Sequence, residues 1–426
     1  MAAARVAVVG AGLAGLSAAL DLHEAGYAVD VFERSRLLGG RATSFIVDGH
    51  EVDNGQHVFL ACCEAFIAFV RRVGMEEALH LEERFDVVAF RRGVGARLRA
   101  AALPAPWHLA LSFASYRHLS VGARFAVGRA LLAVGRATTF EGNFAAWLSA
   151  QRQPQESLEA FWEPFVVPAL NAPLARVPAS EAAFVLQTAF LRDAGAARFG
   201  WCTIPLAHIA GAAARRLNAV YLSSGVAGIE AHRDRVVLLF VGGERRRYDA
   251  VVLAVPPPQL ARMLGDPARF GLPNLHAYEP WPIVDVHYWY EGGKTDFAFA
   301  ALLESPVQWA FSKGEGYLCC SASAAGEIMT LATEAVAERC WDDVRSTIPS
   351  LRDARIVTSA VTRNPYATFL PPPDAIRPSA QTAHPRVTIA GSWTATGWPD
   401  TMESAVRSGS TAAQTLTDTL TRIGSV

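Results

Sequence analysis

The sequence lacks an excess of charge of either sign, and it lacks any cysteine pattern typical of a metal site. Its 426 residues include 39 basic and 40 acidic residues, so no nucleic-acid partner is expected on electrostatic grounds. No CxxC and no Cys/His cluster with metal-ligand spacing occurs. The cysteines are therefore interpreted as small apolar residues of a reducing compartment: Cys62, Cys63, Cys202, Cys319, Cys320 and Cys340.

Long uncharged apolar runs are also missing, and no stretch reaches the roughly eighteen residues that a membrane-spanning helix needs. The apolar start of the chain carries only Arg5 and is interrupted by spaced glycines, so we interpret it as mature structure rather than a signal peptide. A cytoplasmic location is expected. The length and the 51% apolar content predict two domains.

The first thirty-three residues have the pattern of a βαβ unit. Arg5–Val9 predicts a buried strand, Leu13–Glu24 a helix that stops before Gly26, and Ala28–Glu33 a second strand. The strand-to-helix junction reads Gly10-x-Gly12-x-x-Gly15.

This glycine pattern predicts a dinucleotide site. Its glycines permit a tight turn, let the backbone approach a pyrophosphate, and let the helix pack closely on the strand. The helix N-terminus offers free N–H groups to the phosphates, and Glu33 is placed to bind a ribose diol. The contacts expected here are Gly10, Gly12, Leu13, Ala14, Gly15, Glu33 and Arg34.

A second glycine pair, Gly39-Gly40-Arg41, follows six residues after Glu33. An NAD enzyme does not need such a pair at this place, whereas a flavin enzyme uses it to wrap the far side of the pyrophosphate. The cofactor predicted is therefore FAD. Arg41 is expected to pair either with a phosphate or with a nearby carboxylate.

The rest of the chain predicts an α/β fold whose two domains interleave. Residues 65–217 have a mostly helical pattern, with amphipathic stretches at Glu64–Val73, Val121–Gly135 and Ala207–Leu217. Later segments predict strands: a hairpin over residues 235–249, then Val251–Val255, Ile283–Tyr290, Gln308–Ser312 and Val387–Ala390. A last helix is predicted over Thr401–Thr419.

The domain boundaries predicted from this order are as follows. A Rossmann-type FAD-binding domain takes residues 1–64, 205–262 and 383–426. A mixed helical and β-sheet substrate domain takes residues 65–204 and 263–382.

Taken together, these motifs resemble the flavin amine oxidase and phytoene desaturase superfamily. The likeness includes the glycine motifs, the run Asp53-Asn54-Gly55-Gln56-His57, and a C-terminal block from Ala390 to Ala405. It implies an amine-oxidase-like fold in which that block follows the ribityl chain and flavin ring. The further contacts that it implies are Gly55, Gln56, His57, Val226, Gly391, Ser392, Thr401 and Met402.

Ser392 departs from the superfamily pattern, which has an aspartate at this place. A serine still hydrogen-bonds ribityl or phosphate oxygens but brings no carboxylate, so weaker FAD binding than in relatives is expected. The helix that follows is expected to begin near Thr401–Met402 and to point at the flavin edge on which negative charge grows during reduction.

Within the superfamily, the chain resembles the hydroxysqualene dehydroxylases of bacterial hopanoid synthesis. The run at Asp53–His57, Trp162-x-Pro164 with Leu170-Asn171, and the C-terminal block carry this likeness. It implies reductive removal of the hydroxyl of hydroxysqualene to give squalene. Loss of that hydroxyl requires an acid, and His57 and Glu403 are the candidates. Glu403 has an alternative role, because an acidic residue stabilises a helix's first turn.

An isoprenoid substrate fits two other features. The stretch from Trp107 to Val134 combines apolar residues with Arg117, His118, Arg124 and Arg129, so residues 105–135 are either a membrane-contacting region or an ordinary helix pair. A peripheral association with the inner membrane would follow from the first reading. Aromatic residues of the strand section either line an isoprenoid tunnel or pack in the core: Trp281, Tyr288, Trp289, Tyr290, Trp309 and Phe311.

Two other functions fit the same architecture. A carotenoid-type desaturase would run the redox chemistry in the oxidising direction on a similar lipid. A prenyl-lipid carrier of the GDP-dissociation-inhibitor type would lack a working flavin site. The electron donor of the enzyme is not identified by any motif, since only one dinucleotide fingerprint is present.

Overall fold

The computed structural model describes residues 4–314, 316–372 and 375–424. The outer ends of the predicted FAD-binding segments, residues 1–3 and 425–426, lie outside this description. So do residues 315 and 373–374 of the predicted substrate domain.

Twenty strands are described. The first ten are β1 (Arg5–Val9), β2 (Ala28–Phe32), β3 (Ser44–Val47), β4 (His50–Asp53), β5 (Phe59–Leu60), β6 (Leu79–Leu81), β7 (Asp86–Arg91), β8 (Val94–Arg99), β9 (Phe199–Cys202) and β10 (Ala219–Tyr221). The others are β11 (Val226–Ala231), β12 (Val236–Phe240), β13 (Arg245–Tyr248), β14 (Ala250–Leu253), β15 (Glu279–Glu291), β16 (Phe299–Leu302), β17 (Trp309–Ser312), β18 (Tyr317–Ser323), β19 (Arg355–Leu370) and β20 (Val387–Ile389).

Twelve α-helices are described, together with short 3₁₀ turns and two π-helical turns at Leu158–Trp162 and Gln187–Leu191. The first six are α1 (Leu13–Glu24), α2 (Glu64–Arg72), α3 (Ala110–Ala114), α4 (Val121–Arg136), α5 (Phe144–Ala150) and α6 (Gln155–Ser157). The others are α7 (Glu163–Leu170), α8 (Ala179–Leu186), α9 (Leu206–Ala214), α10 (Pro257–Leu264), α11 (Thr333–Thr347) and α12 (Met402–Gly424).

A five-stranded parallel sheet, in the order β10-β2-β1-β14-β20, forms the centre of one half of the molecule. Its strands come from residues 5–9, 28–32, 219–221, 250–253 and 387–389, which all lie inside the three segments predicted for FAD binding. The domain boundaries themselves stay a prediction.

Both faces of this sheet are covered, as the apolar sequences of its strands require. Along β1, Val6 and Val8 pack on the side of α1, α9 and α12, whereas Ala7 and Val9 pack on the antiparallel sheet β11-β12-β13. The alternation follows from the two-residue repeat of a strand. The predicted helix α1 and the predicted hairpin of β12 and β13 are confirmed within one or two residues.

A seven-stranded sheet, in the order β19-β15-β18-β17-β16-β7-β8, forms the other half. One of its faces carries Phe299, Trp309 and Phe311 and packs against helices α4 to α8. The opposite face carries Val286, Tyr288 and similar residues and packs against α11. Residues with odd numbers along β15 therefore point to the helix side of the sheet.

The mostly helical pattern predicted for residues 65–217 is wrong at its N-terminal side. The hairpin of β7 and β8 turns at Arg92 and Gly93, which both have positive φ values, and β7 pairs in parallel with β16 more than two hundred residues later. A short run such as β7 takes its conformation from this distant partner, which local periodicity does not show. The long strand β19 was also not predicted; it pairs with β15, which is likewise far from it in sequence although less far than β16 is from β7.

Residues 105–135 form α3 and most of α4 joined by a short loop. The predicted amphipathic helix at Val121–Gly135 is confirmed as α4. His118 does not belong to a basic surface, because its ring is buried and its Nε2 lies 2.9 Å from the carbonyl oxygen of Ala89. Among the described residues, no helix has the length and apolar content needed to cross a membrane.

Helices α1 and α12 pack closely beside the parallel sheet. Ser17 donates a hydrogen bond to the carbonyl oxygen of Val406 over 3.1 Å. A Cβ added at Gly409 would lie 2.2 Å from the Ala14 carbonyl oxygen and 2.8 Å from Ser17 Cβ. The contact between these helices therefore requires a glycine at residue 409.

We predict opposite effects for the same substitution at two helical glycines. Gly409→Ala should lower the free energy of unfolding by about 1–3 kcal/mol, because the added methyl group overpacks α1. Gly128→Ala in α4 should raise it by roughly 0.5–1 kcal/mol, because a Cβ there meets nothing within 4 Å and alanine favours the helix. Urea denaturation of both variants measures this, and equal effects would contradict the packing argument.

Candidate active site

One cavity of about 810 Å³ lies between the parallel sheet and the helix side of the seven-stranded sheet. It is continuous from Gly10 at the end of β1 to Trp309 and Phe311 on β17. All the predicted cofactor contacts line it except Gly15. The carboxyl ends of parallel strands are the usual ligand sites of such sheets.

The turn between β1 and α1 presents bare backbone to one end of this cavity. Gly10 has φ +103°, and a Cβ there would lie 2.4 Å from the Ala254 carbonyl oxygen. Gly12, which precedes α1, provides no side chain to cap the first N–H groups of the helix, and the first turn carries no acidic residue. These N–H groups are therefore available to phosphate oxygens.

Gly15 has a packing role rather than a cavity contact. A Cβ at this residue would lie 1.8 Å from the Gly10 carbonyl oxygen. The third glycine of the motif therefore keeps α1 close to the turn, as the sequence indicated.

Glu33 lies at the end of β2 with its carboxylate fixed at the cavity wall. It accepts hydrogen bonds from the backbone N–H groups of Ala11 and Ser35, each over 2.9 Å. Each carboxylate oxygen keeps a second lone pair, which suits the hydroxyl groups of a ribose. Arg34 and Val226 line the same end of the cavity.

The second glycine pair folds directly over the first motif. Gly39 bridges to Gly12 as an isolated parallel pair, and its N–H donates to the Ala11 carbonyl oxygen over 2.9 Å. A Cβ at Gly40, where φ is +62°, would lie 3.1 Å from Gly12 Cα. The two glycine motifs thus form one cradle of backbone.

Arg41 pairs with a carboxylate, which was one of its two predicted roles. Both of its terminal nitrogens donate to the Asp400 carboxylate over 3.0 Å, one to each oxygen. The same guanidinium donates to the carbonyl oxygen of Ala367 in β19 and to the hydroxyl of Ser392. Arg41 therefore joins three distant parts of the chain at the cavity wall.

Asp400 provides a carboxylate beside Ser392. Burial alone would raise the pKa of Asp400, but the Arg41 guanidinium, the Ser392 hydroxyl and the backbone N–H of Phe369 bring it below its usual value. A carboxylate is thus present here although Ser392 replaces the aspartate of relatives. Whether this chain binds FAD more weakly than its relatives stays a prediction.

The C-terminal block lies along the cavity. Gly391, Ser392, Thr401 and Met402 line it, and α12 begins at Met402, as predicted. Thr401 accepts a hydrogen bond from the Ser404 N–H over 3.3 Å and so caps the helix. The N-terminus of α12 faces the cavity, where it favours negative charge.

His57 lines the cavity together with Gly55 and Gln56. Its Nδ1 lies 2.7 Å from the Gly55 carbonyl oxygen. Because a carbonyl only accepts, Nδ1 carries a proton, and the neutral ring has Nε2 as its acceptor. Burial lowers the pKa of His57, although Asp53 partly opposes this.

Glu403, the other predicted acid, is almost completely buried. Its carboxylate accepts hydrogen bonds from the N–H groups of Ala65 and Phe66 in the first turn of α2, over 3.1 and 2.8 Å. Arg407 donates to the same carboxylate over 2.6 Å. These contacts favour a structural role for Glu403, as a cap of α2, over the role of proton donor.

The far end of the cavity is apolar. Of the six aromatic residues proposed for a tunnel, Trp309 and Phe311 line it. Tyr288 and Tyr290 do not, because they lie on the opposite face of the sheet near Trp341. Much of the remaining apolar wall comes from residues that no sequence motif indicated: Phe165, Pro168, Phe184, Val185, Phe190 and Phe199.

These features fit FAD. The cavity volume lies within the range of ligand pockets, roughly 300–1,000 Å³. The backbone cradle and the N-terminus of α1 suit a pyrophosphate, and Glu33 suits a ribose. Such a cavity, with its apolar extension, defines an FAD-dependent oxidoreductase of two interleaved domains.

Comparison with known proteins agrees with this class of protein. The model of the family described as flavin containing amine oxidoreductase matches residues 13–417, and the chain belongs to this family. FAD is therefore its cofactor.

The resemblance to hydroxysqualene dehydroxylases is confirmed. The chain is 27% identical to the hydroxysqualene dehydroxylase of Zymomonas mobilis, over 95% of this chain and 97% of that protein. It is 29% identical to that of Rhodopseudomonas palustris, over 96% and 97%. It is also 25% identical to a zeta-carotene desaturase of Capsicum annuum, over 97% of this chain and 81% of that protein.

Solved structures show the same fold. A putrescine oxidase superposes with a TM-score of 0.75 at 18% identity, over 98% of this chain and 99% of the other. Cyclohexylamine oxidase from Brevibacterium oxydans superposes with a TM-score of 0.73 at 18% identity, over 99% and 100%. The amine-oxidase-like architecture predicted from the sequence is thereby confirmed.

We predict that Asp400→Asn removes a pH-dependent part of the stability. The pKa of Asp400 is lower in the folded than in the unfolded chain, so its contribution is complete above about pH 4 and is lost as the pH falls through the folded pKa. The variant should be less stable than the wild type at pH 7, and the difference should shrink below about pH 4.

Chemical denaturation between pH 3 and pH 7 measures this difference. Asp48→Asn, at an exposed turn, is the matched control and should follow the wild type. A gap between Asp400→Asn and wild type that stays constant over this range would contradict the assignment.

Proposed function

We propose that this FAD-dependent oxidoreductase reductively removes the hydroxyl group of hydroxysqualene to give squalene. The observation that carries the proposal is the continuity of one cavity, from the backbone cradle at Gly10 and Gly40 to the aromatic end at Trp309. The names of the relatives from Zymomonas mobilis and Rhodopseudomonas palustris support the substrate.

The apolar end suits an isoprenoid chain. Phe165, Phe184, Phe190 and Phe311 line it, and burial of hydrocarbon there gains about 25 cal/mol for each Å² removed from water. A small polar amine would gain little from such a wall.

The reaction breaks a C–O bond and forms a C–H bond, so it needs a proton for the leaving oxygen and a hydride for the carbon. FAD, when it is bound and reduced by an external two-electron donor, supplies the hydride. The chain's own residues have to hold the lipid, exclude water and deliver the proton. Neutral His57 suits the binding of the substrate hydroxyl, because its Nε2 accepts a hydrogen bond.

We predict that the purified, FAD-loaded protein forms squalene from hydroxysqualene when it is reduced with dithionite under anaerobic conditions. Gas chromatography of the extracted lipid measures the product, and protein left oxidised is the control. Absence of squalene from the reduced sample would refute the proposed reaction.

The same preparation separates the alternatives. Desaturation of a carotenoid precursor by the oxidised protein with an electron acceptor would favour the desaturase, a function that the zeta-carotene desaturase relatives keep open. A colourless preparation that binds prenyl lipid would instead favour a carrier.

We also propose that the protein works at the cytoplasmic side of a membrane, which it contacts through an apolar surface formed by exposed side chains of residues 105–135. On α4, Val121, Phe125 and Leu132 are exposed and share one helix face, and Trp107 and Leu111 are exposed nearby. α4 packs on the π-helical turn that carries Phe190 of the cavity wall.

The charge around this surface suits anionic phospholipid. Between Asp86 and Glu141 the sequence has no acidic residue. Its charged side chains in that interval are arginines alone: Arg91, Arg92, Arg97, Arg99, Arg117, Arg124, Arg129 and Arg136. Apolar side chains flanked by arginines are typical of helices that lie in the membrane interface.

We predict that the protein binds vesicles containing phosphatidylglycerol and that the double variant Trp107→Ser, Phe125→Ser binds them about tenfold or more weakly, because two large apolar side chains are lost. The control is Val241→Ser, Val357→Ser, which removes two exposed apolar residues elsewhere. Equal sedimentation of both variants with the vesicles would refute the membrane contact.

A further inference from the structure

Asp285 is a buried carboxyl group beside the cavity, and it does not belong to the FAD cradle. It lies on β15 and is 1% exposed. Its neighbours Val284 and Val286 point to the α11 side of the sheet, so Asp285 points to the helix side, where the cavity is. An ionisable group in this position is costly to bury and is a candidate for function.

The two carboxyl oxygens of Asp285 have different surroundings. Oδ1 accepts a hydrogen bond from the backbone N–H of Gln56 over 3.1 Å, which fixes the loop that carries His57. Oδ2 is buried and has no hydrogen-bond partner among the described residues. When it is protonated, Oδ2 can donate a hydrogen bond to the hydroxyl group of a side chain or a substrate, or to a water molecule.

Gly55 brings Asp285 and His57 close together. A Cβ added at Gly55 would lie 3.2 Å from Asp285 Oδ2 and 3.7 Å from His57 Cε1. Because residue 55 has no side chain, the carboxyl group of Asp285 and the imidazole of His57 both border the space that its Cβ would fill.

Ser321 connects Asp285 with the cavity. The two residues are paired directly across β15 and β18, so their side chains lie on the same face of the sheet. Ser321 lines the cavity, as do its neighbours along that face, Ser323 and Ile283. Its hydroxyl can both accept and donate a proton.

Burial allows Asp285 to hold a proton near neutral pH, because it disfavours the charged carboxylate. Burial raises its pKa to about 6, against the lowering effects of the Gln56 N–H, the Ser321 hydroxyl and Lys313, and Asp53 raises it further. On the same strand, burial lowers the pKa of His287 to about 4, so this ring is neutral and adds no positive charge. The other polar or ionisable side chains around Asp285 are His57, Tyr317, Cys319 and Thr362.

We propose that Asp285 is the buried proton donor of this site and that Ser321, which lines the same cavity as His57, passes its proton to the hydroxyl of the substrate. The inference rests on the proposed function. The hydroxyl oxygen takes the proton and leaves as water with the electrons of the C–O bond, and the new C–H bond takes its electron pair from reduced FAD. Asp285 remains as a carboxylate, which regains a proton from solvent.

The contacts of His57 and Asp285 give the two residues different roles. His57 accepts a hydrogen bond through Nε2 and places the hydroxyl, whereas Asp285 supplies the proton that a neutral His57 lacks. Glu403 is fully occupied by α2 and Arg407. In this scheme Asp285 does not touch the substrate. It acts through Ser321 and is therefore a positioning residue rather than a catalytic one.

The test compares Asp285→Asn with Asp343→Asn. Asp343 is the matched control, because burial raises its pKa as well and a serine, Ser305, donates to it, but it lies on α11 behind the sheet. The turnover of dithionite-reduced, FAD-loaded protein on hydroxysqualene is measured from pH 5 to pH 9, with FAD content and thermal stability measured in parallel.

Wild type and Asp343→Asn should lose turnover as the pH rises above about 6, because the donor must be protonated. Asp285→Asn should be slower at pH 6 by about 100-fold or more and should lose this pH dependence. Ser321→Ala should be slower while it keeps FAD, and it serves as the second variant if Asp285→Asn does not fold. An Asp285→Asn protein with wild-type turnover and pH profile would overturn the proposal, and so would an unimpaired Ser321→Ala.

Infrared difference spectra of the oxidised protein, without substrate, give a readout that does not depend on turnover. The C=O stretch of a protonated carboxyl group should grow as the pH is lowered from 8 to 5, with a component that Asp343→Asn keeps and Asp285→Asn loses. If the C=O band of Asp285→Asn contains every component of the wild-type band, the proposal is overturned. Failure of wild type to form squalene would instead refute the proposed function, and the spectra alone would then decide whether Asp285 holds a proton.

Discussion

The pair of Arg41 and Asp400 is the interaction on which the rest of the site depends. Arg41 follows the second glycine motif, Asp400 precedes α12, and the same guanidinium reaches Ala367 in the longest strand of the seven-stranded sheet. Bidentate pairs of this kind are strong and fix both partners in direction. Arg41 is more than three hundred residues away from both Ala367 and Asp400 in the sequence, and all three segments meet at the cavity for FAD. A chain whose domains interleave needs such a junction, because no single segment forms the wall by itself.

The two faces of the seven-stranded sheet differ in composition and in role. The face that packs on α11 is mostly apolar and provides stability, whereas the helix-side face combines aromatic residues with a few buried polar groups. Asp285 Oδ2, His287 Nε2 and Gln56 Oε1 are buried without hydrogen-bond partners among the described residues. Unpaired groups in a protein interior cost free energy, and their concentration beside a cavity is typical of sites that handle protons. The same sheet thereby supplies both the apolar wall for a hydrocarbon and the acid that its chemistry requires.

Much of the cofactor site could be predicted from sequence because its constraints are local. Gly10 and Gly40 have to adopt positive φ values in close contact with other backbone, and Glu33 ends a strand at a fixed distance from the turn. The N-terminus of α12 was also predicted to within one residue. The strands β7 and β19 and the aromatic end of the cavity were not predicted, because their conformation and exposure depend on partners far along the chain. The role of Glu403 also depends on a partner that is remote in sequence. Its place in a first helical turn was evident, but its attachment to the N-terminus of α2 was not.

The sequence by itself determined the FAD cradle, the family and the presence of two interleaved domains, since turns, helix starts and buried strands leave marks at fixed short spacings. Only the tertiary structure decided which ionisable groups meet at the cavity. It directed Arg41 to a carboxylate, occupied Glu403 in a helix cap, and left His57 neutral beside Asp285. The physical reason is that protonation and hydrogen bonding are set by burial and by neighbours within a few ångströms, and those neighbours come from strands and loops that are remote in sequence.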